Sequence, residues 1–363
     1  MKITMNEISK LSLGSQILGC GGGGDFNEGL STAIEAIGKG EVELITMEEL
    51  KARGEDGIVV TISGVGSPAS EEAYYSTDVY PVIVDSLREK VEQKIIGFIA
   101  CEIGASSTFE PFIPAALLGV PVIDAPCDGR AHPLGVMGAL GLEKTGETVW
   151  QAAAGGKKEN HKYLELVVSG SVESASNLVR NAASEAGGAV AVARNPVTSA
   201  WLDDAGAKGA YKQAMELGEL WEHDGTPSEK AKKLADALCG KVLCSGKVSD
   251  FELKTDNALD RGSFNINSNG ETCTLHFFNE YMTLDINGNR RHTFPDVIIT
   301  IDADKGTILT TADIRDDLNI IVIASSYKNV TIGKGLRYRA SYEKIQNIIG
   351  VNMTDYVEDI LLD

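Results

Sequence analysis

The sequence predicts an α/β protein: an open, mostly parallel sheet in the N-terminal domain, then a second α+β domain rich in mixed β-sheet. Three observations lead there. In the first 150 residues short apolar runs alternate with helical stretches, and the runs lack period-two alternation, as strands covered on both faces do. From Gly240 onward the chain reads mainly as strand. Between the two halves lies Gly155-Gly156-Lys157-Lys158-Glu159, a polar stretch that reads as a hinge and sets the expected domains at 1–155 and 161–363. At 363 residues the chain also exceeds the length of about 250–300 at which a single core usually stops growing.

Taken in order, Ile8–Leu18 has helical spacing and runs into Gly19-Cys20-Gly21-Gly22-Gly23-Gly24. Asp25 is placed to cap a helix through Ile37, with Glu28 as its capping-box partner. Glu41–Thr46 reads as strand, Met47–Arg53 as helix, and Gly57–Ile62 as an apolar strand ending in the loop Ser63–Ser67. A helix over Val79–Gln93, a strand over Lys94–Ala100, a helix over Thr108–Leu118 and a buried strand over Val120–Ala125 follow. A further helix is expected from His132. In the second half, Leu164–Ser169 and Gly187–Arg194 read as strands, and Val172–Glu185, Ala207–His223 and Pro227–Leu238 as helices. Gly240–Val248, Gly262–Ile266, Thr272–Ile286, Asp296–Asp302 and Leu318–Ala324 read as strands.

Composition narrows the function classes. Apolar residues make up 43% and charged residues 23%, so the chain folds into packed domains rather than staying disordered. A net charge of -19 opposes phosphate backbones and anionic lipid heads, so neither nucleic acid nor membrane is expected as a partner. The six cysteines form no CxxC pair, and the N-terminal MKITMNEISK has no apolar signal core, which together suggest reduced thiols and a cytoplasmic location.

In an open α/β sheet ligands bind at the carboxyl ends of the strands, so the loops Ser63–Ser67, Cys101–Ser107 and Pro126–Pro133 should share one edge. Four consecutive glycines, Gly21, Gly22, Gly23 and Gly24, ahead of a helix can aim N–H groups at an anion, or can form a turn that needs positive φ. The loop lacks the Lys-Ser/Thr of a P-loop and follows a helix rather than a strand, so no nucleotide cofactor is expected. Glu102, directly after an apolar strand, suits an acid or base, or caps the next helix; Cys101 beside it reads as core. The densest segment is Asp124–Pro133, where Asp124, Cys127, Asp128, Arg130 and His132 fall within ten residues. Cys127 beside Arg130 can ionise near neutral pH, Asp124 and His132 can hold a divalent metal such as zinc, and an Asp128–Arg130 pair can close a turn. On the strand after Thr272, His276, Phe278 and Glu280 share one face and Phe277 and Asn279 the other; one face either lines the cleft between the domains or is an ordinary exposed polar face.

These residues carry a resemblance. Leu18–Asp25, then Glu102-Ile103-Gly104, Pro121–Asp124 and Gly129–Pro133, with Phe278-Asn279-Glu280 and Pro295–Ile298 further on, resemble the S-methyl thiohydantoin desulfurase family across nearly the whole chain. Pro126 and His132 depart from the pattern, standing where many relatives carry an aspartate and an aromatic residue. The resemblance implies a hydrolase in which water adds to the carbon between two ring nitrogens of a five-membered cyclic ureide-like substrate, and methanethiol leaves to give a hydantoin. On that footing Glu102 or Asp128 is the general base, and Cys127 a covalent alternative. Arg130 and Asn279 contact the substrate, and the glycine loop binds a substrate carboxylate. The competing reading is a non-catalytic ligand-binding or regulatory subunit of a hydantoinase- or oxoprolinase-type complex. Either a homo-oligomer or a hydantoinase-like partner is compatible with it.

Overall fold

The structure, a computed structural model, describes residues 1–66, 72–256, 259–268 and 270–362; Ser67, the end of one expected loop, lies outside them. The first half runs α1 (Met5–Leu18), α2 (Phe26–Lys39), β1 (Leu44–Ile45), α3 (Met47–Arg53), β2 (Ile58–Gly66), α4 (Val79–Val91), β3 (Ile95–Ala100), α5 (Phe112–Leu118), β4 (Val122–Ile123) and β5 (Val149–Gly155). Then come β6 (Leu164–Gly170), α6 (Val172–Glu185), β7 (Ala189–Thr198), α7 (Ser199–Ala205), α8 (Ala210–Glu222) and α9 (Pro227–Ala237). The rest is β8 (Lys241–Asp256), β9 (Leu259–Ser268), β10 (Glu271–Phe278), β11 (Glu280–Ile286), β12 (Asn289–Thr293), β13 (Val297–Asp302), β14 (Ile308–Leu309), β15 (Asn319–Ser325) and α10 (Arg339–Ile349).

The first sheet has the order β1-β4-β3-β2-β7-β5-β6. Its first four strands are parallel, and β3 and most of β2 are buried throughout, as their unbroken apolar sequences require. The last three strands join antiparallel. The second sheet, β12-β11-β10-β9-β8-β15-β13-β14, was expected to be mixed, but every described pairing in it is antiparallel.

The chain does not leave the first sheet at the expected hinge. Residues 155–160 turn a hairpin between β5 and β6, with Gly156 at φ 88°, and β7 then lies against β2. A glycine-rich polar stretch looks alike whether it turns a hairpin or links two domains. The change of sheet falls between Thr198 and Lys241, across α7, α8 and α9, of which α7 was not expected. There α1 and α8 cross backbone against backbone: a Cβ on Gly14 would overlap the Ala214 carbonyl, and one on Gly218 the Lys10 carbonyl.

Other differences have local causes. β2 continues through Ser63-Gly64-Val65-Gly66 because β7 pairs with it along that length, so this stretch is strand and not loop. The helix expected from His132 is absent: Pro133, Gly135, Gly138 and Gly141 break the run, which forms turns and one short 3-10 segment, Leu142–Lys144. The single strand expected over Thr272–Ile286 is a hairpin that reverses at Asn279, φ 58°. Asp25 caps α2 by accepting from the Glu28 amide, without the reciprocal bond that would complete a capping box.

Candidate functional site

β3 and β4 are neighbours in the parallel half, so the residues that follow them emerge on one edge of the sheet. Backbone bonds fix the two segments against each other. The Cys127 amide donates to the Ala100 carbonyl at 3.0 Å and the Ile103 amide to the Asp128 carbonyl at 3.0 Å. The His132 amide donates to Glu102 Oε2 at 3.0 Å. From the other side β7 sets Arg194 opposite Thr61 of β2, which carries the guanidinium into the same cluster.

Three ionisable side chains converge on His132 Nε2: Asp128 Oδ2 at 3.3 Å, Glu102 Oε2 at 3.5 Å and Cys101 Sγ at 3.8 Å. The Asp128 contact is an ion-pair approach rather than a hydrogen bond, since Oδ2 has no hydrogen-bond partner, while Oδ1 accepts from the Gly333 amide at 3.1 Å. Burial pulls the imidazole down, but Glu102, Cys101 and Asp128 outweigh it and raise its pKa to about 10, so it is an imidazolium at neutral pH. Burial raises both Glu102 and Asp128.

The thiols divide. A hydrogen bond from Cys127 holds Cys101 well below its usual range; burial opposes this, and Arg194 and His132 add to it. Arg194 Nη2 lies 2.9 Å from Cys101 Sγ. Cys127 is pushed well up by burial and by Cys101, and its Sγ sits 3.4 Å from Thr61 Oγ1. The arrangement is a thiol of lowered pKa against an imidazole of raised pKa, flanked by two carboxyls and a guanidinium, able to attack an electrophilic carbon and to move protons. Buried Asp128 Oδ2, His132 Nδ1, Arg130 Nη2, Arg194 Nε and Glu280 Oε2 all lack hydrogen-bond partners, so polar groups remain for a bound molecule to satisfy.

Glu102, Cys127, Asp128 and His132 are thus brought together. Others are placed elsewhere. Asp124 does not join His132: both its oxygens accept amides at the start of α8, Tyr211 at 2.7 Å and Lys212 at 3.2 Å. Among the described residues no group of three or more His, Cys, Asp or Glu is arranged to hold a metal ion. Asp128 makes no turn-closing pair with Arg130, which is fully buried, stacks on Phe294 at 4.5 Å and donates to the carbonyls of Ala131, Pro295 and Asp296. Asn279 uses its side chain on the Asp260 amide at 2.9 Å. The glycine loop packs closely: a Cβ on Gly21 would meet Tyr281, on Gly22 Glu280, on Gly23 Gly104, and on Gly24 Ser106.

Cys101 and Arg194 are the members that sequence reading passed over as site residues; Glu280 was read only as part of a strand face and given no role of its own. Cys101 stood next to Glu102 at a strand end, and Arg194 directly follows the apolar run Ala189–Ala193; both signals were present in the sequence.

Two family models match the chain: S-Me-THD-like, N-terminal domain, over residues 6–165, and S-Me-THD-like, C-terminal domain, over residues 170–338. Among solved structures, a structural-genomics crystal structure of a protein from Chromobacterium violaceum is 19% identical, with a TM-score of 0.71 over 96% of each chain, which shows a shared fold. No curated protein matches. No helix among the described residues is long and apolar enough to cross a membrane.

Proposed function

The chain belongs to the S-Me-THD-like family, and on that premise we propose that it hydrolyses S-methyl thiohydantoin-type rings, releasing methanethiol and leaving a hydantoin. The observation that carries the reading is the convergence of Cys101, Glu102 and Asp128 on one nitrogen of His132, with Arg194 against the thiol.

In this reading Cys101 Sγ attacks the carbon between the ring nitrogens. The C=N electron pair moves to nitrogen, which takes the proton of His132 Nε2. Collapse of the adduct expels the methylthio group, which leaves with that proton as methanethiol, and the ring stays on Cys101 as a thioimidate. Water then attacks the same carbon. Glu102, whose side chain at 12% exposure is more open than that of His132 or Asp128, orients the water and relays its proton to His132. Cys101 departs as thiolate, and the product settles as the N–H/C=O tautomer of the hydantoin. Arg194 stabilises the thiolate at both ends of the cycle.

Methanethiol release from an S-methyl thiohydantoin by purified protein tests this. The wild type is expected to release it, Cys101→Ser to release none, and Glu102→Gln to be slowed on the order of 100-fold or more. Unchanged turnover in both variants removes these roles. A wild type that binds the ring without releasing thiol favours the non-catalytic subunit.

A further inference from the structure

Glu280 is the buried acid left without a task. It opens β11, is 3% exposed, and its Oε2 has no hydrogen-bond partner. A Cβ on Gly22 would lie 2.1 Å from its Oε1 and 2.7 Å from its Cδ, so only bare backbone leaves room for this carboxyl. The junction around it is firmly tied. The Tyr281 amide donates to the Cys20 carbonyl at 2.9 Å and the Thr311 amide to the Gly21 carbonyl at 2.9 Å; Thr311 Oγ1 also donates to the Asn279 carbonyl at 2.7 Å. Asn279, at φ 58° and held to Asp260, makes the reversal that starts β11 there.

Resting on the ring-hydrolase reading, we propose that the Glu280 carboxyl recognises the ring, pairing its two oxygens with an adjacent N–H and C=O of a cyclic ureide, and that the glycine loop exists to admit this carboxyl and not to bind an anion. A carboxyl can make that two-point contact only while it carries its proton, one oxygen accepting and the other donating. An ionised carboxylate in this position, with Oε2 buried and unpartnered, is strongly disfavoured. The titratable and charged groups that face it are Glu102 after β3, Arg130 and His132 after β4, and Cys20 on the glycine loop. Burial and then Glu102 push Glu280 up to about 8, against His132 and Arg130. A substrate carboxylate placed here would meet Glu102 and Glu280 together, so the edge read at this point is neutral.

The probe is imidazolidin-2-one, a cyclic urea whose N–H groups do not ionise in the range used. Its binding is followed by ligand-observed NMR at about pH 6.5 and about pH 9.5, either side of the Glu280 titration. The wild type is expected to weaken by roughly 30-fold between the two, following a tenfold change per pH unit above the pKa. Glu280→Gln, which keeps a donor and an acceptor, should bind equally at both, and Glu280→Leu should lose binding at both. Should Glu280→Leu not fold, the flat profile of Glu280→Gln against the falling wild-type profile still decides. Wild-type affinity in Glu280→Leu, or the same pH profile in wild type and Glu280→Gln, overturns the proposal. If the wild type still releases methanethiol in that case, the hydrolase reading survives; if it neither binds the urea nor releases thiol, both fall.

Discussion

Gly138 lies directly behind the thiol–imidazole pair. A Cβ there would stand 2.3 Å from Cys101 Sγ, 2.9 Å from His132 Nε2 and 3.1 Å from His132 Cε1. Non-bonded heavy atoms rest at about 3.5–4.0 Å, so Gly138→Ala must displace the sulfur by more than about 1 Å. Its φ is not in the left-handed region, so alanine is conformationally acceptable and the effect is purely steric. The sulfur is 5% exposed and held by Arg194 at 2.9 Å, so a shift of that size also disturbs its contact with the guanidinium. A misplacement of that size costs on the order of 100-fold in rate, whereas the overpacking costs only about 1–3 kcal/mol of stability. Two assays separate the effects: iodoacetamide modification of Cys101 at mildly acid pH, read by peptide mass, and methanethiol release. Both should fall steeply in Gly138→Ala while the melting temperature drops by a few degrees. A variant that alkylates and turns over like the wild type would refute the pairing of Cys101 with His132.

Three further outcomes are expected. Arg130→Lys keeps the charge but loses the planar stack on Phe294 and the set of bonds to three carbonyls, so thermal unfolding should show a loss of about 3 kcal/mol or more; near-native stability would sink its scaffold role. Asp124→Ala should cost about 1–2 kcal/mol by uncapping α8 yet leave turnover close to normal; lost turnover with intact stability would return Asp124 to the chemistry. Burial raises Glu143 to about 7, and neither of its buried oxygens has a partner. Because the folded pKa lies above the unfolded one, the stability linked to its proton is full below about pH 4 and is lost as pH rises through about 7. Glu143→Gln should therefore raise the melting temperature at pH 8 and change it little at pH 4, and a gain at both values would contradict this.

The parallel half of the first sheet was legible because its strands are buried on both faces and need unbroken apolar runs. Met47–Arg53 and Val172–Glu185 have the observed helix bounds because capping residues and helical periodicity agree there. The site was legible in part: Glu102, Cys127, Asp128 and His132 lie in short segments after two adjacent strands, so local sequence places them together. What stayed hidden depends on contacts distant in sequence. Nothing near Arg194 states that its strand pairs with β2, and nothing near Glu280 announces Gly22. Asp124 and Arg130 misled for the same reason, since their partners are amides of α8 and carbonyls near Pro295.

Strand β7 sits in the first sheet yet lies within the segment matched by the C-terminal family model, and it delivers Arg194. A gene divided at that seam would therefore encode two polypeptides, each exposing an unfinished sheet edge and neither carrying the whole cluster of Cys101, His132 and Arg194. Replacing either half by that of a distant relative would have to preserve the β2–β7 pairing and the placement of Arg194 together.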